Sequence, residues 1–345
     1  MLQRLSSRQR LEILVQQFEP VIRAAFMEAI DDIRSNIVLR RIAERLERAD
    51  IAGAIKALNL DEAAFRPLEE ALRQAFNGGG VAAVEQMPAL RDPDGHQVVV
   101  RWDARNLAAE QWLREHSAML VTNIVEDQKV AIRSALEQGL SRGDNPTKTA
   151  LQVAGRVNRV TGKREGGIVG LTAQQSQHVA SARLELALAD PDGIRNYLQR
   201  GRRDKRFDRS VLKAFKDGKP IPAETVDRIV TRYADGLLKL RADTIALNET
   251  FEALAVAKEI AFRQQIDKGR VQAQAVTKTW RRSPSEHPRL QHTAMHGQAV
   301  QFDQPFIAPD GTPIPYPYAP GVPARHKLGC KCFAGYKIDF VAANA

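Results

Sequence analysis

The stretch at residues 241–269 reads RADTIALNETFEALAVAKEIAFRQQIDKG, and it indicates the architecture of most of the chain. Apolar side chains are distributed along its whole length: Ile245, Phe251, Leu254, Val256, Ile260 and Phe262. Such a distribution is typical of a helix that packs against other elements. Gly269 follows, and a glycine is a common residue at the end of a helix. The stretch therefore predicts one long α-helix.

Similar patterns cover most of the chain before this stretch. They predict further helices at about 1–77, 106–139, 148–157, 172–189, 194–200, 208–217 and 222–240. Three glycines at 78–80 predict a break, and Thr147 is a candidate cap for the helix at 148–157. Residues 97–102 (QVVVRW) predict a short strand after turn residues at 92–95, and the glycine-rich residues 161–170 predict a flexible connector.

The composition changes near residue 284. Nine of the 17 prolines lie at 284–323, while four of the seven histidines and both cysteines lie at 287–332. Dense proline excludes long helices and central strands, because proline lacks the amide hydrogen that both require. This segment predicts a small loop-rich unit with short strands near 271–280, 299–302 and 333–340.

The predicted fold is mainly α, with long helical N-terminal and middle regions followed by a small, loop-rich and proline-rich α+β C-terminal domain. Its predicted domains are a helical docking arm at 1–80, a helical region at 81–270 with a short β segment near 97–102, and a His/Cys/Pro-rich domain at 271–345. The prediction of a docking arm is based on an amphipathic stripe between Leu11 and Ile37. A packing face inside the protein would produce the same stripe.

Charge and composition exclude several classes of protein. The 345 residues include 51 Lys and Arg against 41 Asp and Glu, and 43% hydrophobic residues, which excludes a wholly disordered chain. No apolar run approaches the roughly 18 residues of a membrane span, and the N-terminus lacks an apolar signal core. Two cysteines one residue apart do not form a disulfide framework. We expect no membrane partner, and a protein kept inside a cell or in a particle assembled there.

The clearest chemical candidate is a metal site in the C-terminal segment. Cys330 and Cys332 supply thiolates, His292 supplies an imidazole, and these are ligands that zinc takes tetrahedrally. The fourth ligand would be His287, His296 or His326, and the sequence does not choose among them. The alternative is an aromatic core that is sufficient alone, with idle thiols; its members would be Phe302, Phe306, Tyr316, Tyr318 and Phe333.

A basic run at residues 200–219 is the second candidate. It holds nine basic and three acidic side chains, with only two phenylalanines to stack on bases. The predicted contacts to nucleic acid are Arg200, Arg202, Arg203, Lys205, Arg206 and Arg209. Such a run predicts weak DNA binding without sequence preference, since cations neutralise phosphates whatever the bases are. A solvated face that docks on an acidic protein would look the same.

Several strings of this sequence together resemble one protein family. They are His292-x-x-Met295-x-Gly297-Gln298 followed by Val300 and Phe302, then Asp310-Gly311 among prolines, then Gly329-Cys330-Lys331-Cys332. This order is similar to the C-terminal domain of Mu F-like phage minor head proteins, which usually read H-x-x-L/M-x-G-Q and then N-C-R-C. The likeness extends upstream to about residue 100, through residues 112–143, 161–172, 204–211 and 241–245. Gly329 and Lys331 depart from the usual Asn and Arg.

The resemblance implies a minor capsid protein without catalysis, made in the host cytoplasm and built into the virion. Its partners would be the phage portal and capsid proteins, and its role would be head morphogenesis and DNA packaging. A basic protein suits a position beside packaged DNA. The alternative function is a metal-dependent nuclease that uses the His/Cys unit, although Asp303 and Asp310 lie apart rather than forming an acidic cluster for magnesium.

Overall fold

The structure is a computed structural model that describes residues 5–91, 96–188, 190–286 and 288–339. The α-helices in these residues are α1 (Ser7–Ser35), α2 (Leu39–Leu46), α3 (Ile51–Ala57), α4 (Arg66–Glu85), α5 (Leu107–Ser141), α6 (Pro146–Ala154), α7 (Ala173–Leu188), α8 (Pro191–Gln199), α9 (Asp208–Lys216), α10 (Ala223–Asp267), α11 (Leu290–Ala294) and α12 (Ala324–Lys327). Three 3₁₀ turns lie at Glu62–Phe65, Lys205–Phe207 and Ala273–Ala275. The chain is mainly helical, which confirms the predicted fold class.

The strands are all short. They are β1 (Leu90–Arg91), β2 (Gln97–Val98), β3 (Arg156–Val157), β4 (Arg164–Glu165), β5 (Val276–Arg281), β6 (Ala299–Gln301), β7 (Phe306–Ile307), β8 (Pro313–Ile314) and β9 (Phe333–Ile338). Strands β5, β6 and β9 confirm the three strands predicted in the C-terminal segment. The predicted strand at 97–102 is reduced to β2, which pairs with β1, and the predicted turn at 92–95 lies outside the described residues.

Contacts divide the chain into two compact units. The C-terminal unit combines Met1–Ala24, Leu68–Ser117 and Thr244–Ala345, and the central unit combines Ala25–Pro67 and Ala118–Asp243. These groups do not follow the three consecutive segments predicted from the sequence, which remain a prediction about domain organisation. The apolar stripe that suggested a docking arm is buried from Phe18 to Ile37, whereas Leu11 and Leu14 are half-buried, so only the start of the stripe is open to a partner.

The central unit is a set of packed helices. Helix α2 packs against α3 and α6, helix α7 packs against α8, and α8 contacts α9. The cap of α6 is Asn145, whose Oδ1 accepts hydrogen bonds from the amides of Thr147 and Lys148 at 2.9 and 3.3 Å. The prediction that Thr147 caps this helix is therefore wrong. Pro146 occupies the first turn, where a missing amide hydrogen costs nothing.

The segment predicted as a flexible connector, residues 161–170, is instead fixed in the central unit. Strands β3 and β4 form a hairpin, and the Gly166 amide donates to Asp235 Oδ1 at 2.7 Å. The Arg164 guanidinium donates to the carbonyls of Arg34 and Ile37, both at 3.0 Å. Glycines allow the turns, but hydrogen bonds to distant parts of the chain hold the segment in place. The local sequence does not reveal these partners.

Two predicted helix breaks are also wrong. The helices expected at 222–240 and 241–269 form the single helix α10, because residues 237–244 (LLKLRADT) contain neither proline nor glycine. The glycines at 78–80 lie inside helix α4 rather than between elements. A Cβ at Gly79 would approach Leu254 Cδ2 to 2.9 Å, and a Cβ at Gly80 would approach the Trp102 ring to 2.3 Å. These glycines serve close packing rather than a turn.

The C-terminal unit contains the sheet that positions the candidate site. Its strand order is β6-β5-β9, all antiparallel, and β7 pairs with β8 as a separate hairpin. Along β5 the side chains of Val276, Lys278 and Trp280 are buried. Around Trp280 a cluster of buried residues includes Phe251 of α10, Phe306, Tyr318, Cys330 and Cys332. The cysteines therefore belong to the core of this unit.

Candidate metal centre

The sheet brings the two halves of the candidate site to one end. Strands β5 and β9 run antiparallel with Arg281 opposite Phe333, so the end of β5 lies beside the start of β9. Cys330 and Cys332 directly precede β9. His292 lies on α11, in the connection that leaves β5 at the same end and returns as β6. Residues 38 positions apart in sequence meet there for this reason.

The three predicted ligands form a compact buried group. His292 Nδ1 lies 3.3 Å from Cys330 Sγ and 3.7 Å from Cys332 Sγ, and the three atoms all lie within 4.8 Å of one another. Zinc bonds of about 2.3 Å to sulfur and 2.0–2.1 Å to nitrogen imply tetrahedral edges of roughly 3.5 to 3.8 Å. The side chains are 3 to 5% exposed. His292, Cys330 and Cys332 could therefore hold a metal ion.

A second histidine orients the first. His326 Nδ1 lies 3.2 Å from His292 Nε2, and His326 Nε2 lies 3.1 Å from Asp310 Oδ2. Hydrogen bonds from Thr312, with smaller contributions from Arg325 and His326, hold the pKa of Asp310 well below its usual range. The ionised carboxylate accepts from His326, whose other nitrogen accepts from His292 Nε2. This arrangement leaves the lone pair of His292 Nδ1 facing the thiols, as a metal ligand requires.

Residues outside the motifs hold the cysteine turn. The Gly329 amide donates to Asn248 Oδ1 at 2.7 Å, and the Tyr318 hydroxyl donates to the Cys330 carbonyl. Gly329 has φ of +68°, a left-handed conformation that glycine and asparagine adopt most readily. The Cys332 amide donates to Cys330 Sγ at 3.3 Å. Asn248 and Tyr318 thus support the candidate site; the sequence does not single out Asn248 for this role and indicates Tyr318 only as part of an aromatic core.

The two thiols influence each other's ionisation. A hydrogen bond from the Cys330 thiol lowers the pKa of Cys332, although burial opposes this shift. The same hydrogen bond to Cys332, together with burial, raises the pKa of Cys330. The hydrogen bond between the thiols therefore favours ionisation of Cys332 over ionisation of Cys330, and thiolate is the form that binds a metal.

The predicted fourth ligands take other positions. His326 lies behind His292, with both of its ring nitrogens engaged. His296 is exposed, and its Nδ1 accepts from the Arg282 amide at 3.3 Å. His287 lies outside the described residues. The alternative aromatic core exists in part: Phe306 and Tyr318 belong to the cysteine cluster, and Phe302 belongs to a second cluster with Ile338.

The predicted nucleic-acid contacts in the central unit divide into two groups. Three arginines make ion pairs: Arg200 with Glu185 at 2.6 Å, Arg203 with Asp208 at 3.0 Å, and Arg206 with Asp204 at 2.6 Å. Arg200 is the most enclosed of them, with a side chain 14% exposed. Arg206 is nevertheless 80% exposed, and the other predicted contacts, Arg202, Lys205 and Arg209, are exposed as well. The surface that the basic run offers is therefore smaller than the sequence indicates.

Comparisons of the chain with protein-family models, with curated proteins and with solved structures find no match. Within the described residues, no helix combines the length and apolar character needed to cross a membrane.

The role of His326 can be tested by substitution. We expect His326→Ala to weaken metal binding by about 10- to 100-fold, because His292 loses the partner that fixes its ring and tautomer. His296→Ala is the matched control and should bind metal as the unsubstituted protein does. Competition with a chromophoric chelator measures both affinities. Equal losses in the two variants would contradict an orienting role for His326.

Proposed function

We propose that this protein is a minor phage head protein of the Mu F-like kind, bound near the portal during head assembly and DNA packaging. The observation that carries the proposal is the meeting of two distant motifs at one buried point. The histidine motif at 292–298 and the cysteine motif at 329–332 approach to 3.3 Å between His292 Nδ1 and Cys330 Sγ. If the two motifs act as one unit, they are expected to share a site in the structure. A chance likeness of the sequence to the family would not require the motifs to meet.

The metal in this proposal is zinc. Two thiolates and one imidazole are soft and borderline ligands, a set that zinc prefers over magnesium or calcium. When bound, zinc would join α11 to the start of β9 and so close a loop of proline-rich chain. That closure would supply folding free energy to a segment with few regular backbone hydrogen bonds.

The proposed role of the protein is that of a head component rather than an enzyme. A nuclease that uses magnesium or a similar ion needs carboxylates beside the metal. Asp310, the acidic residue joined to the site, instead bonds to His326 and Arg325. Arg263 Nη2 pairs with Asp303 at 2.5 Å. Both acidic residues of the nuclease alternative thus have partners, and this disfavours the nuclease.

The portal association can be tested with the full chain. We expect its gene to lie beside genes for a portal and a major capsid protein, and the portal to retain the full chain when both are co-expressed and the portal is purified. The full chain is required, because a truncation at residue 81 would cut through helix α4. A portal that retains none of the protein would contradict the proposal.

DNA contact gives a second, separate prediction. Replacing Arg202, Lys205 and Arg209 by alanine should reduce the slope of log affinity against log salt by up to about 3, since each neutralised phosphate contributes about 0.9. Fluorescence anisotropy with duplex DNA between about 50 and 200 mM salt measures the slope. A control with the same charge loss replaces the exposed Lys56, Arg133 and Arg159. Equal slopes in the two variants would assign the run to a protein interface.

A further inference from the structure

We infer that the metal centre keeps one coordination position open toward a cationic pocket, and that this position binds a phosphate-type oxyanion. The inference rests on the proposed metal and goes beyond it, since a purely structural zinc site is closed by four protein ligands. Three observations carry it: the placement of the described ligands, the pocket beside them and the charge of that pocket.

The described part of the chain supplies three ligands and not a fourth. His326 is the nearest further histidine, but it lies at Nε2 of His292, whereas the thiols lie at Nδ1. Its own Nε2 faces Asp310. It therefore cannot reach the ion without giving up both contacts. Three protein ligands with an open position are the arrangement of zinc sites that bind water or a substrate.

A pocket of about 250 Å³ opens on the same three ligands. At roughly 30 Å³ per water molecule, it has room for about eight waters, which is enough for a phosphate group and its hydration. Besides the ligands, the pocket is lined by three cationic residues, Arg282, Arg289 and Lys331, and by three hydroxyl residues, Ser283, Ser285 and Thr293. Arg289 donates to the Leu328 carbonyl, which fixes it at the pocket wall.

The charge of the pocket selects an anion. A divalent ion bound by two thiolates carries no net charge, so the three cations of the lining are not balanced by the ligands. Among the described residues, no carboxylate lines the pocket. Arginine and lysine bind phosphate by charge-assisted hydrogen bonds, and hydroxyl groups donate to its remaining oxygens. An oxyanion would place one oxygen on the metal and its other oxygens on the cationic and hydroxyl side chains of the lining. It would thus fill the open position of the metal and balance the charge of the pocket.

The test uses the full chain loaded with Co²⁺, whose visible spectrum reports on the metal's ligands. Inorganic phosphate should change the ligand-field bands saturably. Arg282→Ala combined with Lys331→Ala should weaken this response roughly tenfold or more, because each removed cation takes away a charge-assisted contact. Lys337→Ala, which removes an exposed lysine of β9 outside the pocket lining, should leave it unchanged. A matching response to a short oligothymidylate would show that backbone phosphodiesters are ligands, and a response to phosphate alone would restrict the site to free phosphate or monoesters.

Three results would overturn the inference, and they are distinguishable. If sulfur-to-cobalt charge-transfer bands are absent before any anion is added, the proposed metal centre itself is refuted. If the bands are present but phosphate changes nothing, the metal centre stands and the open position is refuted. If phosphate acts only after His287→Ala, the fourth position belongs to that histidine and the site is closed in the natural protein.

Discussion

Replacing Cys330 and Cys332 together by serine is expected to abolish metal binding and to lower the melting temperature by about 8 to 16 °C. A metal present at roughly a thousand times its Kd stabilises the folded state by about 4 kcal/mol. A unit of this size loses about 2 to 4 °C for each kcal/mol. The loss should be confined to the C-terminal unit, because both cysteines pack in its core.

Elemental analysis and thermal unfolding of tag-free protein measure this effect. About one zinc per chain is expected before treatment, and chelation of the unsubstituted protein should reproduce the melting temperature of the double variant. Serine is close in size to cysteine, but its hydroxyl is costly to bury in an apolar cluster, so the chelated unsubstituted protein isolates the contribution of the metal. Metal-free protein that melts identically before and after chelator treatment would contradict the prediction and favour the aromatic core.

His116→Leu is expected to destabilise the protein by about 3 to 5 kcal/mol, as the removal of one partner from a buried ion pair does. His116 Nε2 lies 2.6 Å from Glu249 Oε2, and its Nδ1 lies 3.7 Å from Glu252 Oε1. Glu252 also pairs with Lys327 at 2.8 Å. The four side chains link α5, α10 and α12. Without the imidazole, two buried carboxylates would share a single lysine.

The destabilisation caused by His116→Leu should depend on pH. Burial alone would lower the pKa of His116, but the hydrogen bond and charge of Glu249, with the charge of Glu252, raise it overall. Burial raises the pKa of Glu252. A raised histidine pKa stabilises the folded state fully below the unfolded value of about 6.5. That stabilisation is lost as the pH rises through the folded pKa.

Urea unfolding of the unsubstituted protein and of His116→Leu, at pH values below and above about 6.5, measures the difference between their free energies of unfolding. The difference should be largest below about pH 6.5 and shrink at higher pH. His178→Leu, at an exposed histidine of α7, is the control and should change the free energy of unfolding little at any pH. A difference that grows with pH would show that His116 is not held in its charged form.

The helical content of the fold is readable from the sequence, but the ends of elements are less so. Helix α5 follows its apolar pattern closely, from Leu107 to Ser141. The glycines at 78–80 mislead because their purpose is close contact with Leu254 and Trp102, which lie far away in sequence. Glycine composition alone does not distinguish a turn from a close approach. Only tertiary packing decides between the two uses.

The candidate site also has a part that the sequence predicts and a part that depends on tertiary packing. The types of His292, Cys330 and Cys332 make them candidate ligands, and the structure places them together. Their supports were not predictable, because a buried hydrogen bond such as that of Asn248 to the Gly329 amide depends on how α10 packs. The one available signal is an asparagine inside a long helix, a position where its side chain competes with the backbone.

Zinc K-edge X-ray absorption of the tag-free full chain tests the central claim most directly, because it counts the atoms bound to the metal. A site formed by His292, Cys330 and Cys332 predicts about two sulfur neighbours at about 2.3 Å and about two lighter neighbours at about 2.0 to 2.1 Å. Loss of both sulfur neighbours in the double cysteine variant would complete the assignment. A first shell without sulfur in the unsubstituted protein, or a protein that takes up no zinc, would contradict it.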